Sequence, residues 1–443
     1  MKKILTSTAL LAFYVNAFPQ LSFSGNDLPV ISESAAASTG LEAVYVVSDV
    51  AGVSASYRST AGNAVKWYRF SNLGGGYAEE ISGIIQSGDL STLPSLQGDM
   101  GYIIEDGGSR HCYWVVNYAS HKLSLGSIAI SPESDCSTVI LAFEGDADAI
   151  RYYTVNGQSQ ELSRGLKLSY STLKYDEDAA IYLFSDITDE LSHASANIPV
   201  NAPLCNTDFT LSGDRFLETW AQPQSIVSPY YEAKAVEAYT TAQQVERDND
   251  NEQKGEVSGL GGSAPVEIDF HAVTTDAAIF KEWQIATDQE FDLIDYRHND
   301  LDLNYVFDNE GTFYVRFMAS NAAGNCDYYS PVYEVSIGES DIKCPNAFSP
   351  GTSEGINDLW KVSYKSIIQF ECHIFNRWGI QVAHLTDPSQ GWDGKYKGKL
   401  VPSGVYYYVI KARGADGKDY NLRGDINIIG YKQNTSGTGN VTQ

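Results

Sequence analysis

The six cysteines are the residues of this chain with the clearest capacity for covalent chemistry. No two of them have Cys-x-x-Cys spacing, so a zinc ribbon or a thioredoxin-like redox site is not expected. Cysteines of exported proteins generally form disulfides. The six cysteines of this chain allow fifteen pairings. We predict local pairs, with the alternative that one pair differs or stays reduced: Cys112–Cys136, Cys205–Cys326 and Cys344–Cys372.

Signatures of known catalytic sites are missing from the sequence. It contains no Gly-x-Ser-x-Gly elbow, no His-Glu-x-x-His motif and no Walker loop. Its seven histidines are scattered, and His111 and His121, which lie near Cys112, fit surface histidines better than ligands. A carboxylate pair for glycoside hydrolysis stays open, because 56 acidic residues offer many candidates and sequence separation gives no distance. We expect no enzyme, no cofactor and no metal site, with a secreted hydrolase whose active site lies on loops as the alternative.

The charge of the chain bears on its partners. With 56 acidic and 30 basic residues the formal net charge is −26, and the acidic excess lies before Ser340. Nucleic acid is not an expected partner, because neutralising its phosphates requires Lys and Arg. Whether the acidic part of the chain binds calcium stays open at this point.

The first residues indicate export. Lys2 and Lys3 form a basic start and the apolar run Ile4–Phe18 follows, which is typical of a signal peptide, predicted here as residues 1–24. The run is too short and too polar for a membrane span, and no other stretch approaches the length of one. The mature chain is therefore expected to lack a transmembrane helix.

Short runs of β-branched and aromatic residues, bounded by Gly, Ser and Asn, recur along the chain. No segment has a sustained helical period. This pattern predicts an all-β protein built of tandem β-sandwiches. The predicted boundaries are a sandwich at 25–132, a small β-domain at 133–204, a sandwich at 205–338 with a mobile loop at 243–264, and a C-terminal domain at 339–443.

Two weaker resemblances concern the part of the chain before the C-terminal domain. Trp67 and Cys112 are similar to the tryptophan and second cysteine of immunoglobulin domains, although an early partner cysteine is absent, and the first two domains are therefore interpreted as Ig-like. The strand Gly311–Val315, followed by the turn Asn321–Gly324, resembles the closing strands of PKD-type sandwiches over about 305–337. The alternation of this strand places Phe313, Val315 and Phe317 toward the core.

Ordered motif blocks occupy the last quarter of the chain. They read Cys-Pro-Asn-Ala-Phe-Ser-Pro from Cys344, Glu-Gly-Ile-Asn-Asp from Glu354, Phe-Asn-Arg-Trp-Gly from Phe375, Gly-Trp-Asp-Gly-Lys from Gly391 and Pro-Ser-Gly-Val-Tyr from Pro402. In this order they resemble the gliding motility-associated C-terminal domain, the type B sorting domain of the Bacteroidetes type IX secretion system, over about 342–432. The resemblance implies a β-sandwich that the outer-membrane type IX secretion machinery binds, and export through the periplasm to the cell surface or the medium.

The resemblance also assigns motif residues. The positions carried over are Pro345, Asn346, Phe348, Pro350, Asn357, Asp358, Asn376, Arg377, Trp378, Gly379, Trp392, Asp393, Gly394, Gly404 and Tyr406. Most of them are expected to specify the fold: Phe348, Trp378 and Trp392 by filling the core, and Gly379 by adopting a positive φ. Glu354 stands where the family usually has Asp, so a hydrogen-bonded turn is expected there rather than a calcium site.

These observations favour an exported, multi-domain β-sandwich protein at the cell surface or in the medium. Its expected role is that of an adhesin or a structural binding module toward an unknown surface ligand, either a glycan or a protein. An accessory component of the surface or motility machinery is the remaining alternative, beside the hydrolase.

Overall fold

The computed structural model describes residues 21–62, 64–255, 259–351 and 357–430. Within these ranges the regular secondary structure is nearly all strand, with one short α-helix and the 3-10 turns Ala37–Thr39, Gly75–Tyr77 and Tyr118–His121. The predicted all-β fold class is therefore confirmed. No helix in the described part has the length and apolar character needed to cross a membrane.

The described residues fall into two compact units, one running to residue 172 and continuing from 184 to 233, and the other comprising 173–183 and everything from 234 onward.

The first sandwich begins earlier than the predicted boundary at residue 25. Leu21 is buried, and the strand Ser22–Ser24 pairs with Ser54–Arg58. The first twenty residues of the predicted signal peptide lie outside the described part of the chain. The strands of this sandwich are β1 (Ser22–Ser24), β2 (Ile31–Ser34), β3 (Ala43–Val47), β4 (Ser54–Arg58), β5 (Lys66–Phe70), β6 (Glu79–Glu80), β7 (Ile85–Ser87), β8 (Leu90–Leu93), β9 (Met100–Asp106) and β10 (Ser109–Asn117).

Two sheets face each other in this sandwich, with orders β1-β4-β8-β7 and β2-β3-β10-β9-β5-β6. Trp67 of β5 is 1% exposed and donates its indole N–H to Ser91 Oγ at 2.7 Å, so its one polar atom is satisfied inside the core.

The second sandwich extends past both of its predicted limits, 133 and 204. Its elements are β11 (Ser124–Ile130), β12 (Thr138–Asp146), β13 (Ile150–Tyr153), β14 (Ser159–Leu162), β15 (Leu166–Asp176), β16 (Ile181–Leu191), β17 (Asn197–Asn201), β18 (Thr210–Gly213), α1 (Arg215–Thr219) and β19 (Gln224–Val227). The sheets have orders β11-β12-β17, β13-β14 and β16-β15-β18-β19. Because β18 and β19 add to β15, residues up to about 228 belong here and not to the next domain.

A buried ion pair lies in the second sandwich. The side chains of Arg164 and Asp214 are 1% and 0% exposed, and Arg164 Nη1 donates to Asp214 Oδ2 at 2.9 Å. The guanidinium also donates to the carbonyls of Asp148 and His121, while Asp214 accepts from the Tyr118 hydroxyl and from the backbone N–H of Leu217. The second of these contacts caps the N-terminus of α1. Both charges are thus compensated by several hydrogen bonds.

Replacing Arg164 should strongly destabilise this sandwich. Arg164→Met leaves the Asp214 carboxylate buried without its cation, a change that typically costs about 3–5 kcal/mol. Urea unfolding of the mature chain, followed by circular dichroism, measures the shift. Lys167→Met is the matched control, since Lys167 pairs with Glu218 at the half-exposed surface and its loss should cost less than about 1 kcal/mol. Equal shifts for the two variants would contradict the assigned role of the buried pair.

The third sandwich contains β20 (Ala238–Gln244), β21 (Leu260–Gly262), β22 (Val266–Thr274), β23 (Phe280–Ala286), β24 (Tyr296–His298), β25 (Asp302–Phe307), β26 (Gly311–Ser320), β27 (Asp327–Tyr329) and β28 (Tyr333–Ile337). One sheet has the order β20-β22-β25 and the other β21-β28-β26-β23-β24, with β27 on β26. Val315 and Phe317 are fully buried as the alternation predicted, whereas Phe313 is half-buried.

The segment predicted as a mobile loop, 243–264, is instead paired and docked. Its ends belong to β20 and β21, and residues 256–258 lie outside the described part. Between them, Asn251 donates to the carbonyls of Val362 and Pro388, at 2.7 and 2.8 Å. Glu252 forms a β-bridge with Tyr364. Its side chain, which is 1% exposed, forms an ion pair with Arg247. This segment therefore covers an edge of the C-terminal domain.

The fourth sandwich is the predicted C-terminal domain, whose residues after 430 lie outside the described part. Its strands are β29 (Asp341–Lys343), β30 (Ala347–Phe348), β31 (Ser363–Lys365), β32 (Ile367–Phe375), β33 (Gln381–Leu385), β34 (Lys395–Tyr396), β35 (Lys399–Leu400), β36 (Gly404–Gly414) and β37 (Asp419–Ile428). The main sheet has the order β30-β37-β36-β32-β33, beside the pairs β29-β31 and β34-β35.

The predicted disulfides are not formed. Cys136 and Cys326 are disulfide-bonded, but Cys112, Cys344 and Cys372 are free thiols and Cys205 also retains a thiol. Cys112 lies within β10, with its side chain in the core, and Cys344 hydrogen-bonds with the Tyr408 side chain. Proximity in sequence did not identify the bonded cysteines, because the fold rather than chain separation sets the distances between side chains.

The buried thiols should resist alkylation. Burial, with a smaller contribution from the neighbouring Cys344, raises the pKa of Cys372 to about 12. Relative to an exposed thiol with a pKa of about 8.5, its thiolate fraction at pH 8 is lower by about a thousandfold. We expect iodoacetamide to modify Cys372 at pH 8 only after denaturation, as measured by peptide mass spectrometry. Rapid native labelling, or a Cys344–Cys372 disulfide peptide in the unreduced digest, would show that this description is incorrect.

Candidate functional site

The core of the fourth sandwich is organised by two tryptophans. Trp360 and Trp392 exchange backbone hydrogen bonds of 2.9 and 3.0 Å, and their side chains are 0% and 3% exposed. Phe348 and Tyr406 pack on Trp392 with ring centroids at 5.4 and 5.2 Å. The structure thus places Phe348, Trp392 and Tyr406 of the motif in the core. The sequence did not lead us to predict Trp360 as a core residue. Its only local signal there is that it is an aromatic residue just after a turn.

The first motif block ties the start of the domain to its last strand. Phe348 and its neighbour Ala347 pair in parallel with β37, and Asn427 donates its backbone N–H to the Asn346 carbonyl at 2.8 Å. The Pro345 carbonyl accepts from the Trp360 indole at 2.7 Å. These contacts are mostly backbone contacts.

The turn after this block is held by polar contacts. The Asp358 carboxylate accepts from the Gly351 N–H at 2.8 Å, and the Asn357 carbonyl accepts from the Ser349 N–H. Glu354, where the sequence departs from the family pattern, lies outside the described residues. Across from this turn, Gly394 has φ +72°. A Cβ at this position would come within 2.9 Å of Pro350, so the close approach of these two motif residues requires glycine at 394.

The Phe-Asn-Arg-Trp-Gly block forms the turn that joins β32 to β33. The Asn376 side chain accepts from the backbone N–H groups of Trp378 and Ile380, at 2.9 and 3.0 Å. The Gly379 N–H donates to the Asn376 carbonyl, and Gly379 has φ +79°, the left-handed conformation expected from the sequence. Asn376 and Gly379 therefore set the shape of the turn.

The prediction that Trp378 caps the core is wrong. Its side chain is 70% exposed, and the Arg377 guanidinium lies 4.2 Å from the centre of its ring. Both residues occupy the turn between β32 and β33, beyond the paired residues of the two strands. Arg377 and Trp378 thus form a stacked cation–aromatic pair facing solvent.

A cleft of about 260 Å³ lies beside this pair. Motif residues from two separate blocks line it, together with residues that the sequence interpretation did not single out: Asn376, Arg377, Trp378, Val382, Tyr396, Val401, Pro402, Ser403, Gly404, Val405 and Tyr406. The fold brings the β32–β33 turn and the start of β36 to one place, although more than twenty residues separate them. We call this surface the turn cleft.

The charge beside the turn cleft is basic. Lys397 lies over the ring of Tyr396 at 5.3 Å, and among the residues that the structure describes neither Lys397 nor Arg377 forms an ion pair. Lys395 is different, since it pairs with Asp393 at 2.7 Å. Burial alone would raise the pKa of Asp393, but hydrogen bonds from Lys395 lower it overall, so this carboxylate stays ionised and holds the β34–β35 hairpin in place.

Comparisons with known proteins give family matches for two of the four sandwiches. Residues 342–428 match the family model described as the CHU_C Type IX secretion signal domain, and residues 128–228 match a Fibronectin type III domain model. The fourth sandwich is a type IX secretion signal domain. The fibronectin type III match covers the second sandwich. Like the strand pairing, it extends this domain beyond both predicted limits, 133 and 204.

No curated protein matches the chain. Among solved structures, it is similar to the three N-terminal domains of the Highly Immunogenic Outer Capsid protein (Hoc) of bacteriophage RB49, at 9% identity and a TM-score of 0.21. That match covers 69% of this chain and 99% of the other.

The two motif tryptophans of the secretion signal domain should respond differently to truncation. Trp392→Ala removes a buried ring and should cost about 3–5 kcal/mol through lost contacts and a cavity. Trp378→Ala removes an exposed ring and should cost less than about 1 kcal/mol. Thermal unfolding of the mature chain, with the fourth sandwich followed by hydrogen exchange, distinguishes them. Comparable destabilisation by both variants would mean that Trp378 is packed after all.

Proposed function

We propose that the chain is exported across the outer membrane by the type IX secretion machinery and that the machinery recognises the turn cleft. The observation that carries this proposal is the convergence of two motif blocks on one exposed surface. Motif positions such as Phe348 and Trp392 lie in the core, where they stabilise the fold. Arg377 and Trp378 contribute little to that core, so their position suits recognition.

The chemistry of the turn cleft fits a protein partner. Trp and Arg are the residues most often found as energetic hot spots of interfaces, because they combine a large apolar area with directional polar contacts. Trp378 is already stacked under Arg377, which reduces the conformational entropy lost when a partner orders the pair. Arg377 and Lys397, which have no ion-pair partner within the described ranges, favour a partner surface with carboxylates beside an apolar pocket.

For the sandwiches before residue 342 we propose a binding role at the cell surface or in the medium, as an adhesin or structural module for a glycan or protein ligand. The fibronectin type III match supports this, because sandwiches of this architecture recur in cell-surface domains. Catalysis is not part of the proposal. Incubating the mature chain with arrays of glycans and of surface proteins tests it, and turnover of an arrayed glycan without retention would favour the hydrolase alternative.

Export should depend on the turn cleft independently of folding. In cells with type IX machinery, deletion of 342–443 should hold the chain in the periplasm. Trp378→Ala should lower the fraction of the protein exposed at the cell surface about tenfold or more, because loss of a hot-spot residue worth about 2 kcal/mol weakens binding by more than tenfold. Protease accessibility on intact cells measures the exposed fraction.

The matched control for this experiment is Tyr407→Ala. Tyr407 is 47% exposed on the same domain but does not line the turn cleft, so its replacement should leave export unchanged. Normal export of Trp378→Ala and of the double variant with Arg377→Ala would refute recognition at the cleft. Normal export of the deletion variant would refute the export role of the whole domain.

A further inference from the structure

Three side chains with metal-ligating atoms meet on the exposed face of the main sheet of the secretion signal domain. Glu371 and His373 are two residues apart on β32, so the pleat directs both to the face away from the core. His384 lies on β33 directly opposite His373 in the antiparallel register. Their ligand atoms all lie within 4.8 Å of one another.

The two imidazoles of this cluster lie parallel to each other. The rings of His373 and His384 are stacked with centroids 4.5 Å apart and planes inclined by 7°. The Nε2 atoms of both rings lie 3.2 Å from the same Glu371 oxygen, Oε1. Both rings therefore present the same nitrogen to a single carboxylate oxygen.

These distances agree with a tetrahedral metal site. Bonds of 2.0–2.1 Å to nitrogen and oxygen in tetrahedral zinc sites place neighbouring ligand atoms about 3.3 Å apart. Two of the three edges of the ligand triangle already have this length, and the third, between the two imidazoles, is at most 4.8 Å. Two histidines and one carboxylate form a common zinc ligand set that leaves a fourth position for water.

The alternative is a simple hydrogen-bonded cluster, and it accounts for the arrangement less well. In that cluster Glu371 Oε1, which has two lone pairs, would accept from both imidazoles, but of the two contacts only that of His384 has hydrogen-bond geometry. Nδ1 of His373 is buried and has no hydrogen-bond partner among the described residues. With the proton on Nδ1 instead, the Nε2 lone pair is available to a metal, although no acceptor holds that proton, which limits the affinity. The cationic residue paired with Glu371 across the sheet is Lys411 on β36, which is exposed.

We infer that Glu371, His373 and His384 bind a divalent transition-metal ion, with Zn²⁺ the best fit. The site links β32 to β33, the edge strand of the sheet, and these two strands carry the Arg377–Trp378 turn at their connected ends. A bound ion would therefore fasten the hairpin that presents the turn cleft. The inference stands on the geometry of the cluster and does not require the proposed recognition at that cleft.

Isothermal titration of the metal-free mature chain with ZnCl₂ tests the site. We expect one site per chain with a dissociation constant on the order of micromolar. Titration with Co²⁺ should give the intense visible absorption of tetrahedral cobalt. His384→Gln and Glu371→Gln should each weaken binding at least about tenfold.

The matched control is His271→Gln. His271 hydrogen-bonds with the Asp302 carboxylate on the third sandwich, and among the described residues this pair is not part of a three-ligand cluster. Its replacement should leave the titration unchanged. All three ligands lie on an exposed face, so circular dichroism in EDTA should show the variants folded as the parent chain is. Absence of a site in the parent chain, unchanged binding in His384→Gln, or loss of binding in His271→Gln would each overturn the inference.

Discussion

The pleat of β32 is the constraint on which the secretion signal domain depends. Phe370, Cys372 and Ile374 point into the core between the sheets, so Glu371 and His373 are forced outward. Shifting the register by one residue would bury a carboxylate and an imidazole and expose the apolar side chains, which fixes the register strongly. The same constraint that builds the core therefore also gathers the outward ligand cluster and sets where the strand ends and its turn begins.

The turn at the end of β32 illustrates what sequence reasoning can and cannot reach. Asn376 and Gly379 have local functions, one accepting from its own turn and the other adopting a positive φ, and local functions can be read from residue types. The environment of Trp378 depends on whether a second sheet covers the turn, which is a property of the whole domain. Trp378 and Trp392 have similar glycine-bearing neighbourhoods in sequence, yet one is exposed and the other buried.

The same distinction explains the other outcomes. Alternation and turn residues predicted the all-β class, and the ordered motif blocks predicted the secretion signal domain, because both depend on local patterns. The domain limits shifted because β18 and β19 join β15 through pairings that no local pattern encodes. The disulfide pairings failed for a related reason, since contacts between distant segments decide them, and the neighbourhood of His373 and His384, eleven residues apart in sequence, likewise follows only from the hairpin register.

The segment between β20 and β21 further shows that the secretion signal domain is not an isolated appendage. Asn249, Asn251 and Gln253 hydrogen-bond with residues of the fourth sandwich, and Glu252 extends the β29-β31 sheet at Tyr364. Polar loops rich in Asn and Asp look mobile in sequence because they lack apolar anchors, but paired backbone groups at a sheet edge can hold them. The edge of the β29-β31 sheet is thereby covered by the third sandwich, whereas the turn cleft and the histidine cluster are left exposed on another part of the domain. The third sandwich thus covers one sheet edge of the domain, while the β32–β33 hairpin stays accessible to a partner.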